Sequence, residues 1–424
     1  MAAIVQLTPY TNIPETARIS ADPQAPGFVQ NPYGFYQQLH AVSAPAFWDQ
    51  YGHWCFASFK DVSALLRDKR FGREILHVAT REEIGMPQPQ AHTADFDLTE
   101  QYSLLNLEPP GHTRLRTLVN RAFVSRHVEQ LRPRILKLAN EMIDAFQDID
   151  AFQDQDSVDL IKAFAAPIPA IIIAEMIGLP AESAPQLLAW SNRMVAMYMF
   201  GVTREVELDA NAAAAEFTDY LRGVIAERRK QPREDLLTHM ITAEQNGERL
   251  SDEEVLSTVI LLLNAGHEAT VHTTGNGVKS ILESGLDPAT LFTSDAQTAA
   301  TVEECLRFDA PLHLFTRYTL SDMDYNGITL RKGDVIGMLM GAANRDPARF
   351  ANASSFDPFR TDGANVSFGA GIHFCIGAPL ARIELQIALS TLFERLPRLR
   401  LAEPPQYNDV YPFHGLQKLM VRWD

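Results

Sequence analysis

Residues 368–384 read "FGAGIHFCIGAPLARIE", and the fold turns on how that stretch is read. Glycines at 369, 371 and 377 surround one cysteine, Cys375, and a helical pattern follows. A dinucleotide fingerprint needs G-x-G-x-x-G, but three residues after Gly371 stands Phe374. A phosphate loop needs G-x-x-x-x-G-K-[ST], which is absent. The thiol is what remains to explain the loop. A cysteine at the head of a helix is stabilised as thiolate by free N–H groups and the positive dipole end. Such a thiolate is either a nucleophile or a ligand to a soft metal, and Gly377 keeps the backbone slim beside it.

The rest of the chain narrows the setting. It has 424 residues, is 46% apolar and carries a net charge of −16. That length and core are enough for one large domain or several smaller ones. The acidic balance argues against nucleic-acid binding and against an anionic membrane surface. Cys55, Cys305 and Cys375 are far apart and form no C-x-x-C pair, which fits a reducing cytoplasm rather than a disulfide framework. The N-terminus lacks a basic start with an apolar run, so no signal peptide is expected. The longest apolar stretch, "AFAAPIPAIIIA" (163–174), is too short to span a bilayer.

Residues 53–59 read as a strand, 72–106 as irregular with a mobile loop over 85–97, and 110–290 as mostly helical. The segment 251–285 is predicted to be one helix. Ser251 and Glu254 make a capping box, and Gly285 closes it. About 32 residues span roughly 48 Å, and a helix so long and apolar belongs at the centre of a large domain. Gly266 within it costs about 1 kcal/mol relative to alanine, to be explained by a ligand against the backbone or a close helix crossing. His267 and His272 are five apart, so they lie on different faces and do not form a zinc site. A second helix is predicted around 298–311, then strands over 318–340 about an Asn326-Gly327 turn. Between 111 and 137, Arg114, Arg116, Arg121, Arg126, Arg132, Arg134 and Lys137 face one acid, Glu129, a net +6. That segment reads equally as a solvated helix face or as a docking patch for an acidic partner.

The loop resembles the haem-binding loop of the cytochrome P450 family, the haem-thiolate monooxygenases. Phe368, Gly371, Cys375 and Gly377 meet its F-x-x-G-x-x-x-C-x-G pattern. "AGHEAT" (265–270) resembles the family's oxygen-binding helix motif. "ECLR" supplies Glu304 and Arg307, "FDPFR" supplies Arg360, and "HTRLR" supplies His112 and Arg116. The resemblance runs from about residue 30 to the C-terminus. It implies a single mainly α domain over 1–424 with a smaller β-rich region, the first 30 residues forming an extended segment. It implies haem b between the long helix and the cysteine loop.

By the same resemblance, Cys375 is the axial ligand to iron. Phe368 and Gly377 belong to its cradle, and His112, Arg116, Arg317 and His373 hold the propionates. Ala265 and Gly266 leave room for O2, and Glu268 is the acid of a proton-delivering acid–alcohol pair. The alcohol is missing: Ala269 stands there. Thr270 lies about 100° further round and is expected to bond back to its own helix, so a water or a substrate hydroxyl fills the gap. Glu304, Arg307 and Arg360 form a structural ion-pair cluster. The substrate pocket draws on residues 83–105 and on Met194, Met197, Tyr198, Leu262, Leu312, His313, Leu314, Phe413 and His414. The implied reaction hydroxylates or oxidatively dealkylates a small to medium, mostly apolar molecule. Its electrons come from a ferredoxin-type donor and its reductase, since the chain holds no flavin or iron–sulfur cysteine set. The rivals are a haem-thiolate isomerase or dehydratase, a peroxide-driven enzyme, and a haem-binding protein without turnover.

Overall fold

The computed structural model describes residues 17–42, 44–122, 125–147, 157–245 and 247–423. It is mainly helical with a smaller sheet region. Six strands form the main sheet, in the order Arg18–Ile19, Ala46–Trp48, His53–Phe56, Val335–Leu339, Leu314–Thr319 and Phe71–Gly72. Within the expected strand 53–59, pairing stops at Phe56, because Ser58 accepts from the Asp61 N–H and starts the helix Phe59–Leu65. Asn326 and Gly327, both at positive φ, turn Met323–Tyr325 into Ile328–Leu330 as predicted.

Two expectations of irregular chain are corrected. Pro26–Gln30 is helical inside the segment expected to be extended. So is Ala94–Gln101, inside 72–106, which follows a helical turn at Ala91–Thr93.

The predicted long helix is two helices, Asp252–Gly266 and Glu268–Ser284. The Ser251–Glu254 capping box and the Gly285 left-handed cap are both present. The interruption has a local cause. His267 Nδ1 donates to the Leu263 carbonyl at 2.8 Å, the acceptor its own backbone N–H would use in an unbroken helix. Gly266 answers to a helix crossing: a Cβ there would lie 2.6 Å from Ile173 Cδ1, on the helix Pro167–Ile177. The helices bury two large apolar clusters. One joins Asp252–Gly266 to the helices before it, and the other joins Glu268–Ser284 to Asp295–Phe308 and Ala378–Arg395.

Candidate haem site

Cys375 sits just ahead of the helix Ala378–Arg395, whose first turn carries Pro379. Its backbone N–H donates to the Phe368 carbonyl at 3.0 Å, which closes the loop. Gly371, at φ +72, lets the loop press on residues 66–67; a Cβ there would lie 2.4 Å from the Leu66 carbonyl. A Cβ on Gly377 would stand 3.8 Å from the Cys375 sulfur. Burial pushes the Cys375 thiol up. The N–H groups of Gly377 and Ala378 and the charges of Arg116 and Arg382 oppose that rise without cancelling it. The helix-head expectation is therefore corrected in degree: the donors are present, but burial outweighs them. A thiol in that balance is a poor free nucleophile, and it ionises when a metal cation binds it.

Around the loop lies a concentration of buried and half-buried basic side chains. The His112 and His373 rings are 4.6 Å apart, and His112 Nε2 is buried without a hydrogen-bond partner. Burial, with His373 and Arg116 nearby, lowers His112 to about 4. Burial also lowers His373, and lowers Arg317 to about 9 with Arg73 beside it. Arg116 donates to the Phe374 carbonyl at 2.7 Å, on the cysteine loop itself. Two members escaped the sequence reading. Arg73 is buried, with bonds to the Leu105 and Thr316 carbonyls. Glu108 accepts from the Arg73 N–H at 2.6 Å and lies 3.4 Å from His373 Nε2. Burial raises the Glu108 carboxyl, but His373 and the Arg73 N–H more than offset this and hold it below the usual range. Glu108 thus faces Arg73, Arg317 and both histidines. Both missed residues are isolated in sequence, and no local pattern marks them.

Between Glu254 and Ser280, Ala265 alone is exposed, and Gly266, Glu268 and Ala269 after it are half-buried. The interrupted turn is where this buried helix pair meets open space. Ile376, next to Cys375, packs against the apolar cluster that holds Leu262, Leu263, Met194, Met197, Phe96 and Leu104. Thr270 Oγ1 donates to the Gly266 carbonyl at 3.2 Å, the back-bond expected of it. Glu268 Oε2 is buried without a partner, while Oε1 lies 3.6 Å from His272 Nε2.

Of the residues expected at a pocket, Met194, Met197, Tyr198 and Leu262 gather in that cluster. Leu312 and Phe413 bridge one another. His313, Leu314 and His414 lie elsewhere. His313 Nδ1 is 2.9 Å from Tyr36 Oη, and Leu314 packs with Phe28, Tyr36 and Tyr411. His414 Nε2 lies 3.3 Å from Asp309 Oδ1, with its ring stacked on Tyr407. The His414 ring thus faces a buried carboxylate, and the His313 ring faces the hydroxyls of Tyr33 and Tyr36. Asn264, unflagged by the sequence reading, is buried beside Met194 with its Oδ1 unpartnered.

Glu304, Arg307 and Arg360 meet as expected. Arg307 grips Glu304 with two bonds of 2.7 and 2.8 Å, and Arg360 Nε lies 2.8 Å from Glu304 Oε2. The basic segment is largely neutralised. Arg114 pairs with Glu254, Arg132 with Glu129, Arg134 with Glu175 and Glu141, and Lys137 with Glu141. Arg121 bonds to the Glu244 carbonyl, and the Arg126 side chain lies outside the described residues.

The family model for Cytochrome P450 matches residues 63–283 and 297–409. The chain belongs to the cytochrome P450 family. It is 35% identical to the polyketide biosynthesis cytochrome P450 PksS of Bacillus subtilis (strain 168), over 91% of this chain and 92% of that one. It is 33% identical to the cytochrome P450 monooxygenase PikC of Streptomyces venezuelae, over 93% and 92% of the two chains. Among solved structures it matches P450BioI in complex with acyl carrier protein ligated to hexadec-9Z-enoic acid. That match has a TM-score of 0.84 and 32% identity, over 94% of this chain and all of the other. The protein is therefore a P450 oxidoreductase whose cofactor is haem. Among the described residues, no helix is long and apolar enough to cross a membrane.

Proposed function

We propose that this P450, a single domain over 1–424, inserts one oxygen atom from O2 into a small to medium, mostly apolar molecule. The observation that carries the reading is Cys375: a half-buried thiol at a helix head, with the backbone N–H groups of Gly377 and Ala378 on its sulfur. Bound haem supplies the activation of O2, and the chain's own residues do the rest. Cys375 would hold the haem iron through its thiolate, and the N–H groups of Gly377 and Ala378 would tune its charge. His112, Arg116, Arg317 and His373, with Arg73, hold the two propionates; the unpartnered His112 Nε2 and the excess of basic side chains fit a dianion. Ala265 and Gly266 keep the helix slim over the oxygen site. Glu268 holds a proton at Oε2 for delivery there, by way of a water or a substrate oxygen, since Ala269 has no hydroxyl.

The cluster of Phe96, Leu104, Met194, Met197 and Leu262 supports an apolar substrate, hydroxylated or oxidatively dealkylated. Asn264 Oδ1 offers it one polar contact. The fatty acyl chain in the P450BioI complex makes acyl chains the first class to screen. Electrons come from a ferredoxin-type donor and its reductase, and the three free cysteines fit a cytoplasmic setting. The test is the ferrous–CO spectrum. The wild type should show the strongly red-shifted Soret band of thiolate ligation, and Cys375→Ser should lose it. A histidine-type spectrum in well-folded wild type would end this reading.

A further inference from the structure

Resting on the reading above, we propose that His272 is the proton donor behind Glu268, a positioning residue that recharges the carboxyl after each delivery. The threonine hydroxyls on the turns around Glu268 are committed elsewhere. Thr270, Thr273 and Thr274 each donate to the carbonyl four residues back, at 3.2, 2.7 and 2.9 Å. His267 spends its Nδ1 proton on the Leu263 carbonyl, and burial disfavours a second proton on its ring. His414, the residue before Gly415, is turned to Asp309. His272 stands one turn after Glu268, with Nε2 3.6 Å from Oε1 and 10% of its side chain exposed.

The fold makes room for this imidazole. A Cβ on Gly415 would lie 1.9 Å from His272 Nδ1 and 2.3 Å from Cε1. The strand-end backbone at 415, fixed by the Asn408 N–H on its carbonyl at 2.9 Å, therefore packs directly against the ring, and a side chain there would displace the imidazole. The proton leaves Glu268 Oε2 for the oxygen site, the doubly protonated His272 ring hands its Nε2 proton to Oε1, and Nε2 takes one up from solvent. A half-turn of the carboxyl then brings the new proton to the Oε2 position, and both groups are back in their starting state. A histidine here supplies what the back-bonded threonines do not: a ring nitrogen free to pass a proton to the carboxyl.

The test compares wild type, His272→Gln and Gly415→Ala, the latter keeping the imidazole but displacing it. Product per NAD(P)H is measured with O2, and product is measured again with hydrogen peroxide, which brings its own protons. Expected is about a hundredfold loss of O2-driven product in both variants, at the low end of what general acid–base catalysis contributes. Peroxide-driven product should hold within about twofold of wild type, and the solvent hydrogen isotope effect on the O2-driven rate should rise. The infrared carboxyl band of Glu268, assigned by Glu268→Gln, should shift in both variants. Unchanged O2-driven coupling and carboxyl band in His272→Gln would overturn the proposal. So would a parallel loss of both activities, which marks a structural role. Failure of the underlying reading shows separately, as a wild-type CO spectrum without the thiolate band.

Discussion

Arg307 lies 1% exposed, and its guanidinium spends all five N–H groups. Nε and Nη2 take the two oxygens of Glu304, Nη1 takes the Asn344 and Ala353 carbonyls at 2.9 Å each, and Nη2 also takes the Ser355 carbonyl at 3.0 Å. Arg307→Leu leaves a carboxylate 2% exposed, with the Asp357 N–H and Arg360 as its remaining partners. Losing one partner of a buried pair costs about 3–5 kcal/mol. At roughly 2.1 cal/mol/K per residue, 424 residues unfolding as one unit have an entropy of about 0.9 kcal/mol/K. The melting temperature should therefore fall by about 3–6 °C. Arg307→Lys, with a compact three-donor head, keeps the charge but cannot span the five acceptors, and should fall partway.

The same arginine reaches the haem loop. The carbonyl of Asn344 is its acceptor, while the Asn344 side chain accepts the Val366 N–H at 2.9 Å and donates to Ser367 Oγ at 2.7 Å. Ser367 precedes Phe368, whose carbonyl holds the Cys375 N–H. Haem retained per chain through gel filtration, read beside differential scanning calorimetry, is the assay. Both variants should retain less haem than wild type, with Arg307→Leu the worse. Removing the exposed Arg222–Glu253 pair, at 52% and 41% exposure, should move neither number by much. If Arg307→Leu melts within about 1 °C of wild type and keeps its haem, the reasoning fails.

Glu384 is 2% exposed with Oε1 unpartnered, and burial raises its carboxyl to about 8. The folded chain therefore holds a proton that the unfolded chain has lost, and this group's contribution to stability should decline by up to about 1.4 kcal/mol per pH unit between roughly pH 4.3 and 8; Glu384→Gln should flatten that slope in urea titrations at pH 5 and pH 8. Ala269→Thr should raise product per NAD(P)H for substrates with no oxygen near the reacting carbon and do little for an otherwise identical substrate that has one; an unchanged ratio for both removes support for substrate-assisted delivery. Arg121→Glu should slow reduction by ferredoxin without shifting substrate affinity, in a manner that weakens with salt; unchanged reduction kinetics would return the basic segment to a solvated face.

What was legible in the sequence were the features whose causes are local. The cysteine loop, the Ser251–Glu254 cap, the Gly285 cap and the Asn326-Gly327 turn each depend on a few adjacent residues, and each is where it was expected. The helix Ala94–Gln101 was not legible, because its start is held from afar. Asn211 Oδ1, more than a hundred residues on, accepts the N–H groups of Asp95 and Phe96, and the stretch itself is too polar to show an apolar stripe. His313 and His414 misled for a related reason. His414 is held at Asp309, which also takes the hydroxyls of Tyr33 and Tyr407, and His313 lies against the hydroxyls of Tyr33 and Tyr36. Burial raises Asp309, yet His414, Lys279 and Arg345 hold it well below the usual carboxylate range. A buried anion collects every donor within reach, and no spacing rule announces which donors those are.

The break at His267 joins the two kinds of information. Composition favours one unbroken helix from 252 to 284, and each half obeys it. The imidazole takes the Leu263 carbonyl because, once buried, it needs an acceptor, and the nearest one is four residues behind it. That choice loosens the helix at the turn where Ala265 and Gly266 are bare and Glu268 keeps an oxygen unpartnered. A threonine at 269 would put a hydroxyl in that turn, but alanine stands there, so the ionisable groups left beside the open face are Glu268 and the histidines on either side of it. One of them is committed to the backbone. The other stands beside the carboxylate, packed against a glycine from the far end of the chain. The motif fixes where the site lies; the packing of residue 415 against residue 272 decides which group stands behind its acid.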